Sequence, residues 1–178
     1  LKELRIVAAA VVWMLFSQGA TGATVRTIRS FERAMKEMSR ATWKHVPDSS
    51  EPGVLYAGRV ASLATIVRLV GSDNQLERIR VEVALPSELP DEHALAILAR
   101  FACVHEGRPR ELGQVLGVLK TLRKTVMATG SRSSRLPYRD LDLTLTLDSS
   151  SDDFSPRTIE VPWGVLYWSL ESRFMDRR

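Results

Sequence analysis

The side chains of this chain best suited to bond-making chemistry are three histidines, one cysteine and a group of aspartates. They are His45, His93, His105, Cys103, and Asp140, Asp142, Asp148, Asp152 and Asp153. A zinc site needs three or four ligands that converge, and a nucleophilic thiolate needs a nearby base in an electropositive setting. His93 and His105 fall on one predicted helix, twelve positions apart. At about 100° and 1.5 Å per residue, they stand about 120° apart around the axis and about 18 Å apart along it. They do not share a metal. Cys103 and His105 are about 200° apart on the same helix and do not chelate. The expected state is a buried small thiol with partly exposed histidines. His45 serves Cys103 as a base only if the tertiary fold brings them together.

The aspartates carry little more. Asp140, Asp142 and Asp148 share the outer face of one predicted strand, with Asp152 and Asp153 in the connection after it. Clustered carboxylates bind calcium or act as acid and base. No Asp-x-Asp-x-Asp-Gly loop is present, and alternating Asp and Thr is the ordinary way to keep a strand face solvated. There is no Gly-x-Ser-x-Gly elbow and no glycine-rich phosphate loop. Gly71, Gly107 and Gly130 stand alone and read as turn or cap residues. Gly113 and Gly117, four apart, predict close packing of their helix on a neighbouring helix or on the sheet. No catalytic, metal or cofactor set is expected.

The strongest feature is electrostatic. In "TVRTIRSFERAMKEMSRATWKH", residues 24–45, Ile28, Phe31, Met35 and Met38 recur at spacings of three, four and three. That rhythm predicts a helix with one apolar face. Arg26, Arg29, Arg33, Lys36 and Arg40 keep the same rhythm two positions out of step. Two positions are about 200° on a helix, so the basic stripe lies opposite the apolar one. Five cations on one face suit an anionic surface: lipid, an acidic protein or a nucleic-acid backbone. Only Trp43 lies close enough to stack on bases, so sequence-specific nucleic-acid binding is not expected. Arg132, Arg135 and Arg139 would extend the basic surface if their loop folds beside this helix.

The remaining chain must position these residues. From Gly53 the period changes to two. Strands are predicted at 54–60 and as a hairpin over 62–85, with Ile79, Val81, Val83 and Leu85 on one face. Pro90, Asp91 and Glu92 open a helix whose apolar face holds Leu95, Ile97, Leu98, Phe101 and Ala102, and Gly107 ends it. Pro109 and Glu111 open the next, with Leu112, Val115, Leu116, Leu119, Leu122 and Val126 inward and Gly130 as its stop. The short linker between them predicts an antiparallel helical hairpin. "GSRSSRLP" reads as a basic loop, and Leu141, Leu143, Leu145 and Leu147 line the clearest strand. The last element is ambiguous. Ile159, Val161, Trp163, Val165 and Tyr167 alternate, while Trp163, Leu166, Tyr167, Leu170 and Phe174 fit a helix from Pro162. A strand through about Trp168 is preferred because it pairs with Leu141–Leu147, with Pro162 at an edge or bulge.

The expected fold is α+β: a mostly antiparallel sheet of about five strands with helices packed on one face, in the order α-β-β-β-α-α-β-β. An apolar N-terminal segment precedes it. The chain has 178 residues, 44% of them hydrophobic, which suits one domain with a real core and excludes wholesale disorder. Its net charge of +4 is mild. A single cysteine excludes an internal disulfide framework.

Ile6 to Val25 contains no charged residue. Lys2 and Arg5 precede a dense apolar block, Ile6–Phe16, and small residues follow at Gly19–Ala23. That order reads as a secretory signal over 1–22, cleaved after Gly22 or Ala23, ahead of one domain at 23–178. An anchor needs about 20 predominantly apolar residues, and only Ile6–Phe16 is strongly apolar. Arg26 and Arg29 beyond it favour a cytoplasmic body if the segment stays in the membrane. A third reading makes 6–16 a buried element of the fold. Export to the periplasm or outside the cell is expected, with membrane anchoring as the alternative. The helix-then-sheet order resembles that of small secretion-chaperone-like domains, which hold partner segments on sheet and helix faces, although no shared motif supports the likeness. Together these readings point to an exported, non-enzymatic binding or adaptor module for a protein or peptide, with Trp163 and Trp168 as the expected docking residues. The alternatives are a hydrolase-like enzyme gathering His45, Cys103 or Asp140–Asp153, and a membrane-surface protein using the basic helix 26–44.

Overall fold

The computed structural model describes residues 27–39, 42–47, 51–72, 74–85, 91–149 and 166–175. Three α-helices are present among them: α1 (Ile28–Ser39), α2 (Asp91–Glu106) and α3 (Leu112–Thr129). The strands are β1 (Lys44–Val46), β2 (Val54–Val60), β3 (Leu63–Ser72), β4 (Gln75–Ala84), β5 (Ser133–Tyr138), β6 (Leu141–Ser149) and β7 (Leu166–Phe174). They form one sheet in the order β1-β2-β3-β4-β7-β6-β5, and every neighbouring pair is antiparallel. The last strand, β7, therefore enters the middle of the sheet and joins the two meanders.

Register assigns each side chain to a face, because alternate residues of a strand point oppositely. One row across the sheet runs Val67, Val81, Leu170, Leu145, and the next runs Leu69, Ile79, Ser172, Leu143. All of these are fully buried. The helices pack on this face: α1 on β3 and α2, α2 on β4 and β7, and α3 on β5 and β6. Salt bridges from Asp91 to Arg123 and from Glu92 to Lys120 join the start of α2 to the middle of α3. The helical hairpin is antiparallel, as its short linker predicts.

The opposite face carries none of the described helices. At its β1–β4 end, Val46, Leu55, Ala57, Ala64, Ile66, Ala84 and Tyr167 form a second apolar cluster. Beside it Arg80 pairs with Glu82 (2.8 Å) and Glu51 (3.8 Å), and Arg68 reaches Glu51 (3.3 Å). Burial raises the Glu82 carboxyl above its usual range despite both arginines.

Local rules account for the joins. The β2–β3 hairpin closes with Ala61 and Ser62, both at positive φ (48° and 70°), as a two-residue turn requires. Gly71 sits at φ 155° where the β3–β4 register shifts, and a Cβ there would lie 2.2 Å from the Gln75 carbonyl oxygen. Gly130 ends α3 in the left-handed conformation. Thr27 caps α1: its hydroxyl accepts the Ser30 N–H, and the Ser30 hydroxyl accepts the Thr27 N–H, each at 3.1 Å.

The expected α+β class holds, but the strand count and order differ. Seven strands replace about five, in the order α-β-β-β-β-α-α-β-β-β. The predicted first helix, 24–45, ends in the structure at Ser39, and Lys44–Val46 instead forms the edge strand β1 against Leu55–Ala57. The exposed edge of β2 offers backbone groups that this short segment satisfies. The predicted basic loop contains β5. Ser134, Leu136 and Tyr138 turn toward the helices, but serines and an arginine conceal the period. Pro137 is tolerated because β5 is an edge strand. The final strand begins at Leu166 and runs to Phe174, beyond the predicted end at Trp168. It does pair with β6 as expected. Ser172, fully buried among apolar neighbours, interrupts the pattern that would have extended it. The readings for Ile6–Phe16, the 1–22 leader, Ile159, Pro162, Trp163 and Asp152–Asp153 concern residues outside those described.

Candidate functional site

The cationic stripe was the main site expectation, and α1 sets its geometry. Phe31 and Met35 are fully buried, and Ile28 and Ala34 pack against the same core. Arg29, Arg33 and Lys36 are exposed on the other side, at steps of four and three. Among the described residues no ion pair engages these three. Glu37 is exposed near them, while Glu32 is turned to the sheet, where its carboxylate accepts the Tyr56 hydroxyl at 2.5 Å. Arg26 and Arg40, and the side chain of Met38, lie outside the described residues. The predicted extension by Arg132, Arg135 and Arg139 is corrected. Their segment lies in or beside β5 at the far edge of the sheet, whereas α1 packs on β3. Arg135 is paired with Asp142 (Nε to Oδ1, 2.7 Å) across the β5–β6 hairpin.

Arg139 works elsewhere. At φ 55° in the β5–β6 turn, it reaches Glu111 at 2.5 Å and Glu106 at 3.7 Å. Its guanidinium also stands 5.4 Å from the Tyr138 ring centre. Arg108 pairs with the same two carboxylates at 3.5 and 3.9 Å. This cluster ties the hairpin turn to the end of α2. Burial raises the Glu106 carboxyl, and the two arginines oppose that shift.

The candidate bond-making residues are dispersed. Cys103 is fully buried on α2, and burial pushes its thiol up to about 12, so the nucleophilic thiolate is scarce at neutral pH. His45 lies on the edge strand β1, exposed, its ring 5.8 Å from that of Tyr56. Asp142 and Asp148 are on β6, five strand positions from β1, or about 24 Å at the usual strand spacing. Asp140 is in the exposed β5–β6 turn, and Asp148 hydrogen-bonds Tyr167. The structure does not bring His45 to these carboxylates. His93 is half-buried in the first turn of α2. Among the described residues, no three His, Cys, Asp or Glu side chains converge as metal ligands. No described helix is long and apolar enough to cross a membrane.

Three further expectations are corrected. His105 is not partly exposed: it is 1% exposed, beneath α1 in the core. The last turn of α2 faces inward there because α1 covers it. Trp168 is 1% exposed on the helix side of β7 and is no docking residue. Gly113 and Gly117 do not pack closely on anything; both are exposed, and a Cβ at either would meet nothing within 4 Å.

Sequence reasoning missed a buried polar pair. His105 Nδ1 and Ser172 Oγ share a hydrogen bond of 2.9 Å between α2 and β7. The Phe174 ring centre lies 4.5 Å from the imidazole and that of Phe31 6.4 Å. Burial drives the His105 pKa down to about 3, so the ring is neutral at physiological pH. The available signal was the alternation Trp168, Leu170, Ser172, Phe174, which puts a serine on a core-facing row. Comparison of the chain with protein-family models, with curated proteins and with solved structures returns no match.

Proposed function

We propose that this chain is an exported, non-enzymatic binding module whose contact surface is the outer face of α1 and whose partner is an acidic protein or peptide segment. The single observation that carries the reading is the division of α1. Phe31 and Met35 anchor one side in the core, which leaves Arg29, Arg33 and Lys36 in solvent over about two turns. A helix rigidly docked by its apolar face presents charges with little further ordering cost, which favours recognition of an opposite surface. Such contacts act mainly on association rate and weaken with salt.

A photo-crosslinking residue at Lys36 in the native cell tests this directly. A discrete crosslinked protein is expected, reduced at least several-fold by R29E together with R33E. Absence of any discrete species, or crosslinking indifferent to the charge reversal, defeats the proposal. The address is tested separately by mass spectrometry of the natural N-terminus, expected near Ala23; an intact Leu1 refutes export by a cleaved signal.

The membrane-surface reading draws on one specific feature, the apolar block Ile6–Phe16 upstream of the cationic helix. Flotation with vesicles of phosphatidylglycerol and of phosphatidylcholine separates it from the protein-partner reading. Binding to the anionic vesicles alone favours an electrostatic lipid contact.

A further inference from the structure

His105 occupies the place where α1, α2 and β7 meet. It projects from the last turn of α2, touches Phe31 of α1, and hydrogen-bonds Ser172 of β7 beside Phe174. An apolar side chain would fill this space without a polar atom to satisfy. The imidazole instead brings two nitrogens into a fully buried site. Its Nδ1 has Ser172, while Nε2 has no hydrogen-bonding partner among the described residues. A proton arriving on this ring would place a full charge in a site enclosed by the rings of Phe31 and Phe174.

No carboxylate of the surrounding elements is left to compensate that charge. On α1, Glu32 is engaged by Tyr56, and Arg29, Arg33 and Lys36 are cations turned to solvent. On β7, Glu171 and Arg173 point to the opposite face of the sheet, as does Asp142 on β6. On α2, Glu106 is held by Arg108 and Arg139, Arg100 is itself cationic, and the Cys103 thiol stays protonated. Glu111 is likewise committed to the two arginines. The C-terminal end of the α2 dipole favours a cation there, but burial outweighs it, and burial is the one cause of the depressed pKa. The rest of the neighbourhood is apolar.

We propose that His105 is an acid-sensitive latch for α1: protonation of the imidazole releases α1 from Phe101, His105 and the sheet while the strands remain paired. The asymmetry between α1 and the strands follows from their attachments. Twelve residues of α1 are held by Ile28, Phe31, Ala34 and Met35. The sheet is held by six antiparallel pairings and by α2 and α3. Local opening selects the element with the fewest buried contacts. The sign follows from linkage. The closed form takes up the proton near pH 3 and the open form near the ordinary histidine value of about 6.5. Between those limits the open form binds more protons, so each unit of falling pH favours opening by up to about tenfold. At pH 4.5 the shift is up to about a hundredfold.

Hydrogen exchange of the full chain across pH 7.0 to 4.5, corrected for intrinsic rates, tests the latch. The expected result is a 10- to 100-fold loss of protection in 28–39 below pH 6.5, with β3, β4 and β7 retaining theirs, and no such loss in H105L. Equal loss in α1 and the strands overturns the proposal, as does an unchanged pH profile in H105L. If H105L fails to fold, proton NMR of the wild-type histidines decides. His105 must titrate together with α1 opening, and an ordinary titration with α1 still protected overturns the proposal. The latch does not depend on what α1 binds: R29E with R33E tests the partner and leaves His105 untouched.

Discussion

The two long helices, α2 and α3, lie side by side but are buried differently. From Ala94 to His105 α2 is buried at every position except Ala96, including Arg100 and His105. By contrast α3 buries one stripe, Val115, Leu119, Leu122 and Val126, and leaves Gly113, Gly117, Thr121 and Thr125 in solvent. The difference is position: α2 is enclosed by α1, α3 and the sheet, and α3 has neighbours on one side only. A helix enclosed on all sides withdraws its polar groups from water, which is why Cys103 and His105 of α2 carry large shifts. An outer helix needs only its inner stripe and is free to carry poor helix formers outside.

Substitutions ordered by expected effect sharpen that contrast. Phe101→Ala on α2 removes a ring packed against Phe31 (6.4 Å) and Trp43 (6.1 Å). It is expected to cost about 3–5 kcal/mol, read as a fall in the urea midpoint. A cost below 1 kcal/mol would mean that α2 is not enclosed as described. Val126→Ala, at the end of the α3 stripe, loses two methyl groups and should cost about 1–2 kcal/mol in the same titration. On the outer face the sign reverses. Gly117→Ala should stabilise by about 1 kcal/mol, since a helix-interior glycine is costly and nothing obstructs the new methyl group; Gly113→Ala, in the first turn, should gain less. A loss of stability in either would show that this face is covered. The smallest effect belongs to Glu106→Gln. Its carboxyl is raised in the fold, so the native state holds that proton more tightly than the unfolded chain. Wild-type stability should therefore gain on the variant as pH falls through the folded value toward about 4.5. This is opposite in sign to the effect of its neighbour His105, whose depressed value makes acid destabilising. A variant with an unchanged pH slope would remove Glu106 from that account.

Legibility in the sequence followed the completeness of each element's pattern. The β3–β4 hairpin, both long helices and the Leu141–Leu145 row were readable because their apolar residues recur without interruption. The strands β1 and β5 and the C-terminal half of β7 were not. Three residues are too few to show a period, serines conceal one, and Ser172 breaks one. The cationic face of α1 was legible, since Phe31 and Met35 went inside and Arg29, Arg33 and Lys36 stayed out. His105 was not, because nothing in "FACVHEG" says that α1 will close over the last turn of α2.

By itself the sequence determined which faces are apolar, where helices stop, the α+β class and the charge of the first helix, because these depend on neighbours a few residues apart. Only the tertiary structure decided that β7 joins the two meanders, that β1 and β5 guard the edges, and which polar side chains are buried. Those outcomes depend on residues such as His105 and Ser172, 67 positions apart, whose meeting is set by packing rather than by any local period.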